Sequence, residues 1–338
     1  MSIRRRPIMK GLRRKAVVLA AVATLAMSSL AGCASDYTVD NNKVAVVVGD
    51  SEISLGVVNF YLRYNQASME AMYTSALGEN VWKTEVEEGK TFEDVEKESV
   101  IDSLTQMYIL EDHMEEYDVT ITEDELAEIE KTADAFIEAN AETAASVSGD
   151  KEVIKEVLKM CKIGTKMYEA MVADVSTEVE DSEAAQKRLA YLGFTESETL
   201  TLEQAKEEAE LFLEEAKTNG DLMATAEAQD APAHEYTFDS ETTMIAEEMV
   251  AAADKLKEGE FAELVEADNI YYVVQLVSEF DEEATEAKKA EIVEERQIEE
   301  FKSIYDEWNK AATITVHDDV VAEISMHGLK VNTKTKED

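Results

Sequence analysis

Between residues 33 and 338 the chain contains a single proline, Pro232. Proline removes a backbone donor and breaks helices, so this sequence lets helices run with few enforced stops. Apolar residues at helical spacing fill much of that length. Ser54 can cap a helix over roughly 55–77, in which Val57, Val58, Phe60, Tyr61 and Tyr64 form a broad apolar face. Thr91 caps a second, to about Glu116, with Ile101, Leu104, Tyr108 and Met114 on its stripe. Thr122-Glu123-Asp124-Glu125 is a capping box for a third, to about Ala139, and Ser148 or Asp150 opens a fourth, to about Asp174. Gly78 to Lys90 reads as a loop carrying Trp82.

Strand signals are short. Val44 to Val48 is a β-branched run, Gly49-Asp50 offers a turn, and Glu52-Ile53 gives a second short strand. The character changes near Val179. Arg188 to Phe194 reads as a strand, and Thr201-Leu202-Glu203-Gln204 caps a helix that stops at Asn219-Gly220. A short helix over 221–229, an irregular Ala231-Pro232-Ala233 and a helix from Ser240 to about Lys257 follow. Two strands, 261–266 and 270–277, meet at Ala267-Asp268-Asn269. The block over 185–280 thus reads β-α-α-α-β-β. A long charged helix, 282–310, ends in Phe301, Ile304, Tyr305 and Trp308, an aromatic face that needs a partner. Ile314-Thr315-Val316 is a lone strand, and a brief helix lies around 318–324. The strand at 44–48 has no good local partner except its own hairpin and the strand at 313–316 is alone, so pairing with each other or with the hairpin would satisfy their backbone groups. The expected fold class is α+β, with helices dominant.

Charge and composition exclude several functions. The formal net charge is −43. Such a chain lacks the basic surface that nucleic-acid phosphates require. No Asp-x-Asp-x-Asp-Gly loop, P-loop, dinucleotide motif or Ser-His-Asp set is present. His113, His317 and His327 lack metal-ligand spacing, so no metal and no cofactor is expected. His234 is read as an exposed loop residue. Cys161 falls on a helical stripe with Val153, Ile154, Val157 and Leu158 and reads as a small buried hydrophobe.

The N-terminus carries an address. Arg4, Arg5, Arg6, Lys10, Arg13, Arg14 and Lys15 precede an apolar run over 16–27, with no acid before Asp36. Leu30-Ala31-Gly32-Cys33 then resembles the lipobox of bacterial lipoproteins. That resemblance implies a leader over 1–32, cleavage before Cys33, a lipid on its sulfur, and a tether over 33–43 on the extracytoplasmic face of the cell membrane. The apolar run is shorter than the ~20 residues that span a bilayer, and acyl chains would supply the anchor. Removing the seven basic residues takes the formal charge from −43 to −50 over 306 residues.

The wider layout resembles foldase and peptidyl-prolyl isomerase lipoproteins of the PrsA and SurA type. Three blocks carry the likeness. They are the run from Val44 through Gly49 and Asp50 to Ser54, the middle block with Gln204-Ala205-Lys206 and Lys255-Leu256-Lys257-Glu258-Gly259-Glu260, and Ile314-Thr315-Val316 after the long helix. The resemblance implies a discontinuous helical chaperone domain over 44–178 and 281–330. A parvulin-like domain, an antiparallel sheet flanked by helices, would be inserted over 185–280, and 331–338 would be a disordered tail. It implies unfolded or nascent exported polypeptides as partners, held in a groove for which Phe60, Tyr61, Tyr64, Met69, Met72, Tyr73 and Met107 are candidates. Active parvulins carry paired histidines; here Tyr191 and Tyr272 stand at those positions, so isomerase activity is expected to be weak or absent. Two alternatives remain, an active prolyl isomerase and a non-enzymatic structural or solute-binding lipoprotein. A homodimer through the N-terminal helices is compatible with the sequence, with no specific motif behind it.

Overall fold

The structure, a computed structural model, describes residues 30–32, 38–78, 80–326 and 331–333. Most of the expected leader, Cys33 and the end of the tail lie outside these residues. The fold is α+β, and the chain divides into two compact units: Met1–Asp174 with Ile298–Asp338, and Val175–Gln297.

The first unit begins with β1 (Leu30–Gly32), β2 (Val44–Val48) and β3 (Ser51–Ser54). Gly49 adopts φ +58° in the β2–β3 turn, a conformation open to glycine at little cost. Ser54 caps α1 (Leu55–Leu77) by accepting from the Val57 amide at 3.3 Å. A short turn of helix follows, in which Trp82 is buried, then β4 (Glu85–Glu87) and β5 (Lys90–Thr91). The stretch expected as a loop therefore holds a small hairpin. Helix α2 (Phe92–Asp112) opens on a capping box between Thr91 and Asp94. It stops short of Glu116 because residues 114–117 tighten into a 3₁₀ turn that ends at Asp118, φ +54°. Helix α3 (Glu123–Ala139) carries the Thr122–Glu125 box, and α4 (Lys151–Met171) starts after Asp150.

The second unit opens with α5 (Asp181–Ala184) and β6 (Lys187–Thr195). Helix α6 (Leu202–Asn219) has the Thr201–Gln204 box and a left-handed Gly220 after its last turn. Then come α7 (Leu222–Ala228), β7 (His234–Phe238), α8 (Glu247–Ala253), β8 (Val265–Ala267) and β9 (Ile270–Ser278). The four strands form one antiparallel sheet in the order β7-β6-β9-β8. Asp268 and Asn269, both at positive φ, make the tight β8–β9 turn. On one face of the sheet Ala190, Leu192, Tyr271 and Val273 pack on α6 and α7. On the other, Leu189, Val274, Leu276 and Phe238 pack on α8.

Two sequence expectations change here. His234 begins a strand rather than lying in a loop. The helix expected from Ser240 shrinks to Glu247–Ala253, because Asp239 and Thr242 close a local turn instead. The Asp239 carboxylate accepts from the Glu241 amide at 2.9 Å, and the Thr242 hydroxyl accepts from the Asp239 amide at 3.0 Å.

Helix α9 (Glu282–Ala311) follows and contributes to both units, which divide between Gln297 and Ile298. Its aromatic end finds partners in the first unit. Phe301 packs on Tyr168 with ring centroids 5.4 Å apart, and Trp308 stacks on His113 at 3.9 Å. The chain ends with β10 (Ile314–Val316), α10 (Asp318–Val321) and β11 (Val331–Thr333). Strand β10 pairs antiparallel with β2, Ile314 opposite Val48, and β3 pairs with the other edge of β2. Strand β11, in a stretch expected to be disordered, pairs antiparallel with β1.

Candidate functional site

The candidate client-binding residues of the first unit do not form one groove. Phe60 and Met107 are 1% and 2% exposed. Phe60 meets Phe136 edge-on at 5.3 Å, so both residues serve the core between helices, because the apolar face of α1 is too broad to be left uncovered. Tyr61 and Tyr64 lie beside Cys161; burial raises both phenols and pushes the Cys161 thiol up to about 11. That shift keeps the thiol protonated at neutral pH. Tyr73 closes an aromatic cluster with Phe92 (4.7 Å) and Trp82 (6.5 Å). Met69 is half-buried. Met72, 61% exposed, is the one of the seven that presents an apolar side chain fully to solvent.

The second unit brings Tyr191 and Tyr272 together. Side chains alternate along a strand, so 189, 191 and 193 of β6 share a face with 272, 274 and 276 of β9 and with 234, 236 and 238 of β7. Register places Tyr191 directly opposite His234 on one side and Val274 on the other, with Tyr272 opposite Gly193. The Tyr191 ring lies 6.2 Å from Tyr272 and 5.7 Å from His234, centroid to centroid. Sequence reasoning missed His234 as a site residue. The alternation of His234, Tyr236 and Phe238 was the available signal.

Gly193 makes room for this arrangement. A Cβ there would stand 3.1 Å from Tyr272 Cε1 and 3.2 Å from Ile270 Cγ2. The Tyr272 ring thus lies across bare backbone. Its phenol is raised first by burial, then by Tyr191 and Asp268, so it stays protonated and can donate. Tyr236, Ile245, Ala246 and Leu256 pack at the margins, and Met244, 81% exposed, stands on the adjoining turn. The result is a half-buried aromatic face with the phenols of Tyr191 and Tyr272, that of Tyr236 at its margin, and one imidazole. It can stack on an apolar ring and donate hydrogen bonds to a carbonyl. Among the described residues no group of three or more His, Cys, Asp or Glu is placed to hold a metal ion, and no helix is long and apolar enough to cross a membrane.

No family model matches the chain. Its sequence is similar to foldase protein PrsA from two strains of Clostridium perfringens, 23% and 22% identical, each over 94% of this chain and 98% of the relative. Among solved structures it is similar to foldase protein PrsA of Lactococcus lactis (15% identity, TM-score 0.34, 85% of this chain and 99% of that one). It is also similar to PrsA of Streptococcus pneumoniae (17%, 0.30, 72% and 99%).

Proposed function

We propose that this chain, a PrsA-type foldase by a sequence likeness that runs from end to end, binds unfolded exported polypeptides outside the cytoplasm. That full-length likeness is the observation that carries the reading. The lipobox-like Leu30-Ala31-Gly32-Cys33 supports anchoring through a lipid on Cys33. A mature chain would then lack Leu30–Gly32, and with it the strand that pairs with Val331–Thr333.

The aromatic face of the second unit is the proposed contact for prolyl segments. Aromatic-lined surfaces bind proline because its ring is apolar and its backbone pre-organised. Release of a prolyl bond requires weakening the C–N double-bond character behind a barrier of about 18–20 kcal/mol. Phenols at 191 and 272 can donate to the prolyl carbonyl but cannot form a paired-imidazole network. The reading is therefore a binder with weak or no isomerase activity. His234 opposite Tyr191 favours the alternative of an active isomerase, since it returns one imidazole to the face.

The test uses residues 33–338. Suppression of aggregation of a denatured secreted protein is expected at near-equimolar ratios, and no suppression of any exported client would overturn the reading. In parallel, a proline-peptide isomerisation assay is expected to show little rate above background. A clear rate lost on His234→Ala or Tyr191→Phe would establish the isomerase instead. Gly193→Val, which pushes Tyr272 aside, is expected to weaken prolyl-peptide binding while the sheet stays folded. In cells that express residues 1–338, labelling with a lipid analogue, lost on Cys33→Ala, checks the anchor.

A further inference from the structure

Helix α1 buries a polar stripe. Asn59, Arg63, Gln66 and Glu70 recur at helical spacing and are 1%, 0%, 0% and 7% exposed. A buried guanidinium is costly unless it is bonded, so the partners of this stripe are informative. Two of the four residues reach the main chain of one short segment. Arg63 Nη2 donates to the Ser325 carbonyl at 2.7 Å, and Gln66 Nε2 donates to the Met326 carbonyl at 3.1 Å. From α2, Lys97 Nζ donates to the Ile324 carbonyl. Three consecutive carbonyls are each read by a side chain from α1 or α2.

The donors are themselves held in place. Arg63 Nη1 donates to Gln66 Oε1 at 2.6 Å, Gln66 Nε2 also donates to Glu70 at 3.0 Å, and Lys97 pairs with Glu93 at 2.8 Å. The segment's side chains alternate. Ile324 and Met326 are 0% and 1% exposed, while Ser325 between them is only partly covered. Carbonyl contacts carry no sequence information, and the two apolar sockets ask only for hydrophobic side chains two residues apart. These contacts ask little of a segment beyond its main chain and two apolar side chains.

We propose that this track is a main-chain-reading site for short apolar segments of clients, and that residues 324–326 of the chain itself occupy it until a client displaces them. The inference rests on the reading that the chain binds unfolded polypeptides. Processing ahead of Cys33 would remove β1, the strand with which Val331–Thr333 pairs.

A protease site inserted between Ala322 and Glu323, both exposed, allows the full chain to fold before it is nicked. After dialysis, a fluorescent peptide of residues 323–333 is the probe. The nicked chain is expected to bind it at least tenfold more tightly than the intact chain does. Asp at both 324 and 326 of the peptide should abolish binding without touching the protein's fold, and Lys97→Met should weaken it several-fold. An unfolded apolar client should displace the label. Unfolding of the chain on nicking, failure of the label to exchange, or a label that no client displaces would each overturn the proposal. Aggregation suppression by the intact chain separates the two readings, since suppression without label exchange sinks this inference alone.

Discussion

Gln275, 6% exposed in the middle of β9, ties three backbone groups to the sheet that carries the aromatic face. Its Oε1 accepts from the Leu222 amide at 2.8 Å, at the start of α7. Its Nε2 donates to the Gly220 carbonyl at 3.0 Å and to the Gly259 carbonyl at 3.3 Å. Leucine at 275 keeps the volume and loses all three bonds. The Leu222 N–H is left buried without its partner, which costs about 1–3 kcal/mol. The Gly220 bond adds about 1 kcal/mol and the longer Gly259 bond about half that. Apolar burial of the leucine offsets roughly 1 kcal/mol. The net expectation for Gln275→Leu is a loss of about 2–3 kcal/mol, or on the order of a hundredfold in the unfolding equilibrium. Hydrogen exchange of the β6 and β9 amides in graded urea reads this directly. Tryptophan fluorescence does not, because Trp82 and Trp308 both belong to the first unit. Gln275→Glu sharpens the test. It keeps the acceptor but turns a carboxylate oxygen toward two carbonyls, which raises its pKa above the unfolded value of about 4.3. The destabilisation should therefore be full at neutral pH and fade as pH falls toward 4.3. A Gln275→Leu protein within about 0.5 kcal/mol of the parent would refute the accounting.

Other outcomes follow from single sites. Glu125 accepts from the Thr122 amide and pairs with Lys166, and these contacts lower its carboxyl to about 2. Its contribution is present above about pH 4.5 and lost as pH falls toward 2. Glu125→Gln should cost about 1 kcal/mol at pH 7 by urea melting, with the gap to the parent closing in acid. A gap independent of pH would count against the capping box as its source. Phe60→Ala should cost about 3–5 kcal/mol as a core truncation. Met72→Ser should leave stability within about 0.5 kcal/mol while reducing client capture. Equal effects of the two on stability would mean that their burial has been misjudged.

Much of the helical frame was legible because its signals are local. Thr91, Thr122, Thr201 and Ser54 each sit one residue before a helix, where an unpaired amide needs an oxygen, and each supplies it. The pairing of Val44–Val48 with Ile314–Val316 was legible for a different reason: Ile314–Val316 had no partner nearby, Val44–Val48 had only its own hairpin, and backbone groups must be paired. What failed was non-local or ambiguous. Phe60 and Met107 looked the same whether packed inward or facing a groove, since periodicity marks an apolar face without saying what covers it. The burial of Arg63 and Gln66 has no local signal, because their partners are carbonyls more than 250 residues away.

The aromatic face shows how one missed strand alters a functional reading. His-Glu-Tyr-Thr-Phe at 234–238 has no aliphatic residue, and it follows Pro232, so it carries few of the marks of a strand. Its alternation is nonetheless aromatic throughout, and an edge strand needs only one buried face. Once it pairs with β6, the register leaves no freedom: Tyr191 must face His234, and Phe238 must reach the core beside Leu189 and Leu276. Replacing both expected histidines by tyrosines looked from the sequence like a loss of all imidazole chemistry. The sheet instead sets a third ring, His234, against the first tyrosine. A slip of one residue in the β6–β7 register would send His234 to the opposite face. A cross-strand test follows. Cysteines placed at 188 and 237, directly opposite in this register, should bridge under mild oxidation, whereas 188 paired with 236 should not. The reverse result would remove His234 from the site and with it the observation that favours isomerase activity.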